Sequence, residues 1–120
     1  MIDKTAIIGD KSNLGENIEV GPYAIIENGS TIGDNCVIHS HSVIKKGVRL
    51  GCFSKVGHFS VLGGDPQHVD FDPQCPSYLE IGENCMLLEN QVIQPYVKIN
   101  DNVVIWSGCH IGHGTTTVSY

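Results

Sequence analysis

The sequence has little positive charge. Seven Lys and Arg residues stand against thirteen Asp and Glu residues in 120 positions, which gives a net charge of −6. Because affinity for nucleic acid depends on Lys and Arg side chains that neutralise phosphates, we expect no nucleic-acid partner. The chain also lacks any run of 18 apolar residues, so no membrane span is expected. The opening residues, Met-Ile-Asp-Lys, do not have the profile of a signal peptide.

Cysteine is scarce and odd in number, with five residues in the chain. Cys36, Cys85 and Cys109 each precede an aliphatic residue by two positions, where Ser and Ala are otherwise common. We interpret these cysteines as buried thiols that fill the position of a small residue. Unpaired thiols of this kind predict a reduced protein in the cytoplasm.

An aliphatic residue recurs at every sixth position. Gly often follows it, and in the first run a small or β-branched residue stands two positions before it. The aliphatic residues of the first run are Ile8, Leu14, Val20, Ile26, Ile32, Ile38, Ile44, Leu50, Val56 and Leu62. Those of the second run are Ile81, Leu87, Ile93, Ile99, Ile105 and Ile111. Neither a helix (period 3.6) nor a strand (period 2) produces a strict period of six, whereas a parallel β-helix does.

The repeat therefore predicts an all-β fold, a parallel β-helix of hexapeptide repeats that forms one domain over residues 1–120. Three hexapeptides make one triangular coil. The aliphatic residue points into the prism, the small residue before it lies near the corner, and coils stack about 4.8 Å apart. The outer faces carry few charges, so a second expectation is a homotrimer that packs three prisms side by side.

The repeat is interrupted once, between Leu62 and Ile81, which are nineteen positions apart, one more than a multiple of six. Three of the five prolines lie in this interval, and Pro cannot donate to a strand ladder. We predict a loop at about residues 63–80 that is extruded from a corner. Because the coils do not need such a loop for stability, a functional role is expected for it.

The candidate residues for chemistry lie in the stretch Ser107-Gly-Cys-His-Ile-Gly-His113. His110 precedes the inward Ile111 and His113 follows it by two positions, so both imidazoles should point outward. Imidazole can accept a proton near neutral pH from a hydroxyl or an amine. The alternative is that both are ordinary surface residues. His58 occupies the same hexapeptide position as His113, which shows that the position alone does not imply catalysis.

A zinc site is a weaker hypothesis for the group Cys36, His39 and His41. The thiol of Cys36 should face inward while His39 lies past the corner, so the three side chains should not converge. No metal is therefore expected.

With these residues identified, the chain resembles the hexapeptide acyltransferases. Residues 1–80 are similar to UDP-N-acetylglucosamine acyltransferases of lipid A synthesis, through the opening Met-Ile-Asp-Lys-Thr-Ala, the stretch Val20-Gly-Pro-Tyr-Ala-Ile-Ile26 and the loop Leu62-Gly-Gly-Asp-Pro-Gln-His68. The fold of that family is a left-handed β-helix. Its His-Ile-Ala-His motif falls on His110 to His113, which implies that His113 is the catalytic base and that His110 contacts the sugar.

Residues 81–116 resemble the sugar acetyltransferases of surface-polysaccharide synthesis, through Leu88-Glu-Asn-Gln-Val-Ile-Gln-Pro95 and Val103-Val-Ile-Trp-Ser-Gly-Cys-His-Ile-Gly-His113. Both branches have a catalytic histidine at the end of a similar motif. The resemblance also implies that Gln67 and His68, in the predicted loop, bind the substrate.

The expected function is the transfer of an acyl group from a thioester donor, acyl carrier protein or coenzyme A, to a hydroxyl or amine of a nucleotide-linked sugar such as UDP-N-acetylglucosamine. No bound cofactor is expected. Compared with the lipid A branch, His68 replaces a loop carboxylate, and the chain stops before the coil that would supply an oxyanion-stabilising amide, so we expect a truncated member. A non-catalytic trimeric scaffold is the alternative. A carbonic anhydrase on the same fold is a third option, for which the spacing of His110 and His113 fits poorly.

Overall fold

A computed structural model describes residues 1–64 and 78–112. These residues form sixteen strands of two or three residues each, numbered in chain order. The strands are β1 (Ile7–Ile8), β2 (Asn13–Leu14), β3 (Glu19–Val20), β4 (Ile25–Ile26), β5 (Thr31–Ile32), β6 (Val37–Ile38), β7 (Val43–Ile44), β8 (Val48–Leu50), β9 (Lys55–Val56), β10 (Val61–Leu62), β11 (Leu79–Ile81), β12 (Met86–Leu87), β13 (Val92–Ile93), β14 (Val97–Ile99), β15 (Val104–Ile105) and β16 (His110–Ile111).

Every third strand belongs to the same sheet, so the chain winds around a triangular prism. The first sheet has the order β1-β4-β7-β10-β13-β16, the second β14-β11-β8-β5-β2, and the third β15-β12-β9-β6-β3. All pairings are parallel, and equivalent residues of successive coils are ladder partners, as in Ile26 with Ile44. The predicted left-handed parallel β-helix is confirmed.

The aliphatic residue of each hexapeptide fills the interior, as predicted. Ile26, Ile38, Ile44 and Leu62 are fully buried, whereas Leu14 and Ile8, in the first coil, are only partly covered. Full burial of one such side chain contributes about 1.5–3 kcal/mol relative to leaving it exposed. The interior is therefore one continuous apolar column that extends through all the described coils.

The residue two positions before the aliphatic lies at the inner side of the corner, and at several corners its side chain forms a hydrogen bond to the next coil. Ser42 Oγ donates a hydrogen bond of 2.6 Å to the carbonyl of Gly57. The thiols of Cys36 and Cys85 donate in the same way to carbonyls of the following coil. The burial predicted for these two cysteines is confirmed, and burial raises the pKa of both thiols. The four described cysteines are free thiols.

The third residue after the aliphatic turns the corner in a left-handed conformation. Glycine meets this requirement at Gly29 and Gly47, with φ of 83° and 81°. Asn, which tolerates the conformation better than most residues, occupies several other corners, including Asn35 at φ 58°. Aromatic residues also adopt it, for example Phe59 at φ 59°. A bulky side chain at such a position costs roughly 1–2 kcal/mol, so contacts made by the ring must offset that cost.

The predicted interruption does not extend as far as residue 80. Leu79 and Glu80 belong to β11 and pair with Val48 and Arg49 of β8. The coil resumes at Leu79 because that side chain, fully buried, continues the apolar column. Most of the predicted loop, residues 65–77, lies outside the described residues.

The three outer faces differ in polarity, whereas few charged residues were expected on all of them. The second sheet presents Asn13, Thr31, Arg49, Glu80 and Lys98, which are successive ladder partners. The first and third sheets present mainly apolar side chains, although the third also carries the exposed Glu19 and Lys55. Ile7, Met86, Val92 and Val104 are between 40% and 63% exposed. In residues 1–64 and 78–112 there is no helix long and apolar enough to cross a membrane.

Candidate functional site

The corner where the chain passes from the third sheet to the first lies beside His110, the candidate residue that the structure describes. We call it the histidine corner, and it consists of residues 21–24, 39–42, 57–60, 88–91 and 106–109 in successive coils. It lies between the two apolar outer faces. The last of these turns leads directly into β16, which carries His110.

One column of the histidine corner is made of stacked rings. The ring centroids of Tyr23 and His41 are 5.3 Å apart, and those of His41 and Phe59 are 4.9 Å apart with an interplanar angle of 17°. All three residues adopt the left-handed corner conformation, with φ between 59° and 62°. Aromatic pairs at these distances contribute about 0.5–1.5 kcal/mol each, which offsets part of the backbone cost.

A second column holds His39, His58 and Glu89. The two imidazole rings stack with centroids 4.5 Å apart, and Nδ1 of His58 lies 3.7 Å from Oε2 of Glu89. Burial, followed by the charge of the His58 ring, lowers the pKa of His39, and Glu89 partly opposes this effect. The side chains of His58 and Glu89 are 44% and 47% exposed, so the cluster is accessible to solvent.

The hypothetical zinc ligands do not converge. Cys36 is buried in the prism, where its thiol donates to the carbonyl of Gly51 at 3.0 Å. His39 and His41 lie outside the prism, in separate ring stacks. Within the described ranges, no three His, Cys, Asp or Glu side chains are grouped so that they could hold a metal ion.

His110 is exposed on the outer face of the first sheet, as predicted. Its ladder partner is Val92, whose amide donates to the carbonyl of Cys109 at 3.0 Å. The inward neighbour, Ile111, packs against the apolar column. The strand pairing therefore holds the imidazole of His110 on the surface, next to the histidine corner.

His113, Gln67 and His68 lie outside the described residues. Their predicted roles in base catalysis and substrate binding stay predictions. The structure thus describes one of the four candidate site residues, His110, together with the turn that leads to it.

Two residues near His110 were not assigned a functional role from the sequence. Gln91 occupies a corner position otherwise held by small residues, and Trp106, in the turn before β16, is 71% exposed. The signal for Gln91 was present in the sequence, since a long amide stands where Ser or Ala is typical. The His39–His58–Glu89 cluster was also missed, because its members do not share one hexapeptide position.

A depression in the described surface lies elsewhere. It has a volume of about 530 Å³, lies over the second sheet and is lined by side chains that include Arg49, Glu80 and Lys98. These residues are direct ladder neighbours of alternating charge, and such exposed pairs contribute a few tenths of a kcal/mol to about 1 kcal/mol each. The depression is open and charged, and it is on a different face from His110.

Comparison with known proteins identifies the family of this chain. Residues 11–46 and 79–115 match the family described as bacterial transferase hexapeptide (six repeats). The matched segments comprise more than half of the chain and bracket the interruption. This protein belongs to the bacterial hexapeptide transferase family. The membership agrees with the resemblance inferred from the repeat and its motifs.

The relatives of this hexapeptide transferase are sugar-nucleotide acyltransferases. The acyl-[acyl-carrier-protein]–UDP-N-acetylglucosamine O-acyltransferase of Sulfurihydrogenibium sp. (strain YO3AOP1) is 43% identical over 119 residues, which are 99% of this chain and 42% of the relative. The UDP-N-acetylglucosamine acyltransferase structure from Bacteroides fragilis 9343 matches with a TM-score of 0.88 at 31% identity, over 94% of this chain and 46% of that one.

A second branch shares the fold. PerB from Caulobacter crescentus, solved with CoA and GDP-perosamine, matches with a TM-score of 0.80 at 24% identity, over 95% of this chain and 49% of that one. At this identity the likeness concerns the fold alone. The chain spans less than half the length of each of these three proteins.

Proposed function

We propose that this hexapeptide transferase takes part in acyl transfer from a thioester donor to a hydroxyl or amine of a nucleotide-linked sugar, with UDP-N-acetylglucosamine as the first acceptor to test. The observation that carries the proposal is the 43% identity, over 99% of this chain, to an acyl-[acyl-carrier-protein]–UDP-N-acetylglucosamine O-acyltransferase. The donor is the thioester of acyl carrier protein or of coenzyme A, and the protein itself needs no bound cofactor.

In the proposed mechanism His113 is the general base. It accepts the proton of the acceptor hydroxyl or amine while that oxygen or nitrogen attacks the thioester carbonyl carbon. The tetrahedral intermediate then collapses, the C–S bond breaks, and the thiolate leaves and takes up a proton. General base catalysis of this kind contributes about 10²–10⁴-fold in rate. A hydrogen-bond donor to the oxyanion adds about 10²–10³-fold.

His110, Gln67 and His68 orient the acceptor in this proposal. The exposed position of His110 on β16 supports its part, since its imidazole is free to meet a ligand from solvent. Gln67 and His68 reach the same acceptor from the loop of an adjacent subunit. The proposal places the reaction in the cytoplasm, where the free thiols of the chain stay reduced.

The proposal includes a homotrimer in which the histidine corners of neighbouring prisms face one another. The apolar outer faces of the first and third sheets flank this corner, whereas the second sheet is polar. An apolar face is stabilised when a neighbouring subunit covers it. A trimer packed in this way leaves the charged second sheet in contact with water.

The test is release of free thiol from acyl-carrier-protein and coenzyme A thioesters, with and without UDP-N-acetylglucosamine, combined with mass analysis of the sugar nucleotide. Release that depends on the acceptor and adds the acyl mass to the sugar supports the proposal. Binding of the sugar nucleotide by calorimetry without thiol release would instead identify a non-catalytic scaffold.

A further inference from the structure

We infer that Gln91 is a positioning residue, which holds the turn at residues 106–109 and thereby sets the position of His110. This inference rests on the proposed function for its catalytic consequence, and its structural part can be tested without turnover. It concerns the single long amide found at an inner corner position near the candidate site.

The slot that Gln91 occupies normally holds a small residue. Along the histidine corner the equivalent positions in successive coils are Ala24, Ser42, Ser60, Gln91 and Cys109. Gln91 is nevertheless fully buried, so its side chain lies within the prism. Its backbone amide donates to Oγ of Ser60 at 3.1 Å, which continues the hydrogen bonding of the coil before it.

The side-chain amide of Gln91 reaches the turn that precedes β16. Its Nε2 donates a hydrogen bond of 2.6 Å to the carbonyl of Trp106 and a longer one of 3.3 Å to the carbonyl of Ile105. The bond to Trp106 is the counterpart of the one that Ser42 makes to Gly57, fifteen residues ahead in both cases. Gln91 therefore anchors the corner as serine does elsewhere, and it also secures the end of β15.

Two backbone contacts extend this anchor to His110. The amide of Gly108, at φ 76°, donates to the carbonyl of Glu89, which fixes the middle of the turn. Val92, the residue after Gln91, is the ladder partner of His110. The segment 89–92 thus holds both ends of the stretch from Trp106 to His110. Among the hydrogen bonds of the described residues, Gln91 provides the one side chain of this segment that donates into that turn.

Stability alone does not explain an amide at this position. Oε1 of Gln91 is buried and has no hydrogen-bond partner among the described residues. A buried acceptor without a partner destabilises the folded state, whereas a serine at the same position would leave no such group. What the longer side chain supplies is the pair of bonds to Trp106 and Ile105, of which a serine hydroxyl could make only the first.

The experiment compares Gln91→Ala, Gln91→Ser and Ser42→Ala in the full chain. Gln91→Ala removes the bonds to the turn, Gln91→Ser keeps a hydroxyl that can bond the Trp106 carbonyl as Ser42 bonds that of Gly57, and Ser42→Ala removes the matched bond at the same corner two coils away. Trp106 is the single tryptophan of the chain, so its fluorescence reports on this turn directly.

Gln91→Ala should change the emission and anisotropy of Trp106, speed amide exchange at Gly108 and shift the NMR signals of the His110 ring. Gln91→Ser should restore these signals in large part, because it keeps the shorter bond to Trp106 and loses only the longer one to Ile105. Ser42→Ala should leave them unchanged. In an active preparation, Gln91→Ala should lower kcat/KM about tenfold through kcat more than through KM, with recovery in Gln91→Ser.

The inference is overturned if Gln91→Ala and Ser42→Ala change the Trp106 and His110 signals alike, or if neither changes them. It is also overturned if a folded Gln91→Ser gives the same signals as Gln91→Ala. If Gln91→Ala does not fold, the comparison of Gln91→Ser with the wild-type chain decides. Absence of acyl transfer in the wild-type chain would count against the proposed function, while the fluorescence and exchange data would still decide the role of Gln91.

Discussion

The imidazole rings of His39 and His58 stack with centroids 4.5 Å apart and planes inclined by 17°, although the two residues occupy different hexapeptide positions. Two protonated rings at this distance would repel each other, and burial further disfavours a charge on His39. Glu89 on the far side of His58, Lys55 and Glu19 are the other charged groups that act on the His39 ring. The stack is therefore sensitive to acid.

The first prediction is that stability falls on acidification. The pKa of His39 is lower in the folded state than its ordinary value of 6.5, so the unfolded chain binds more protons between the two values. Stability is then fully present above about pH 6.5 and is lost as the pH falls through that value towards the folded pKa. His39→Asn should lose less stability than wild type between pH 7.5 and pH 5.5 in urea titrations. The loss of stability in His58→Asn should be intermediate, because burial, the larger cause of the lowered pKa of His39, remains in that variant. Equal pH dependence of stability in all three proteins would contradict this prediction.

The second prediction concerns the candidate base. His113→Asn should lower kcat about 10²–10⁴-fold, since a positioned base supplies a factor of that size. His110→Asn should act mainly on binding and raise the KM of the acceptor roughly threefold to tenfold, the equivalent of about one hydrogen bond. Initial rates at varied acceptor concentration separate the two effects.

The control for these variants is His58→Asn. His58 occupies the hexapeptide position of His113 in an earlier coil, so it matches the residue type and the place in the sequence repeat. Its replacement should leave turnover nearly unchanged. A loss in His58→Asn as large as that in His113→Asn would show that the effect of His113 is not specific to catalysis.

The third prediction concerns assembly. Val104 is 45% exposed on the apolar outer face of the third sheet, and Thr31 lies on the polar outer face of the second. If the apolar faces are covered by neighbouring prisms, Val104→Lys should reduce the trimer to smaller species, whereas Thr31→Lys should not. Light scattering coupled to gel filtration measures the mass directly. A trimer that is unchanged in Val104→Lys, or a wild-type monomer, would refute the proposed packing.

The fourth prediction concerns the apolar column. Ile44→Ala should lower the free energy of unfolding by about 2–5 kcal/mol, because it removes fully buried methyl groups and leaves a cavity. Val43→Ala, at the preceding outward position, should cost less, since that side chain is only partly buried. Chemical denaturation of both variants tests the difference. Similar losses would mean that the alternation of inward and outward positions does not govern stability.

The repeat made the architecture predictable. Because the aliphatic residue must point inward at each sixth position, the period located the core at residues such as Ile38 and Leu87 and placed Cys36 and Cys85 inside the corners. The same register placed His110 on the outside. The boundary of the interruption was less accurate, because the burial of Leu79, not the period, decides where the coil resumes.

The side-chain contacts of the histidine corner could not be predicted from the period. The stacks of His39 on His58 and of His41 on Phe59 depend on how side chains lean across neighbouring coils, and the register specifies only which face each residue occupies. The hydrogen-bond partners of the Gln91 side chain depend on how the next coil stacks beneath the corner.

By itself, the sequence determined the coil of hexapeptides, the inward residues and the outward position of His110, because a strict period of six leaves the backbone one regular way to bury its aliphatic side chains. The left-handedness of the coil was inferred from the family resemblance and not from the period. Only the tertiary structure decided which outer faces are apolar, which imidazoles touch, and that Gln91 bonds the carbonyls of Ile105 and Trp106. These contacts join residues that stacking brings together from different coils, and they depend on side-chain rotamers that no single hexapeptide specifies.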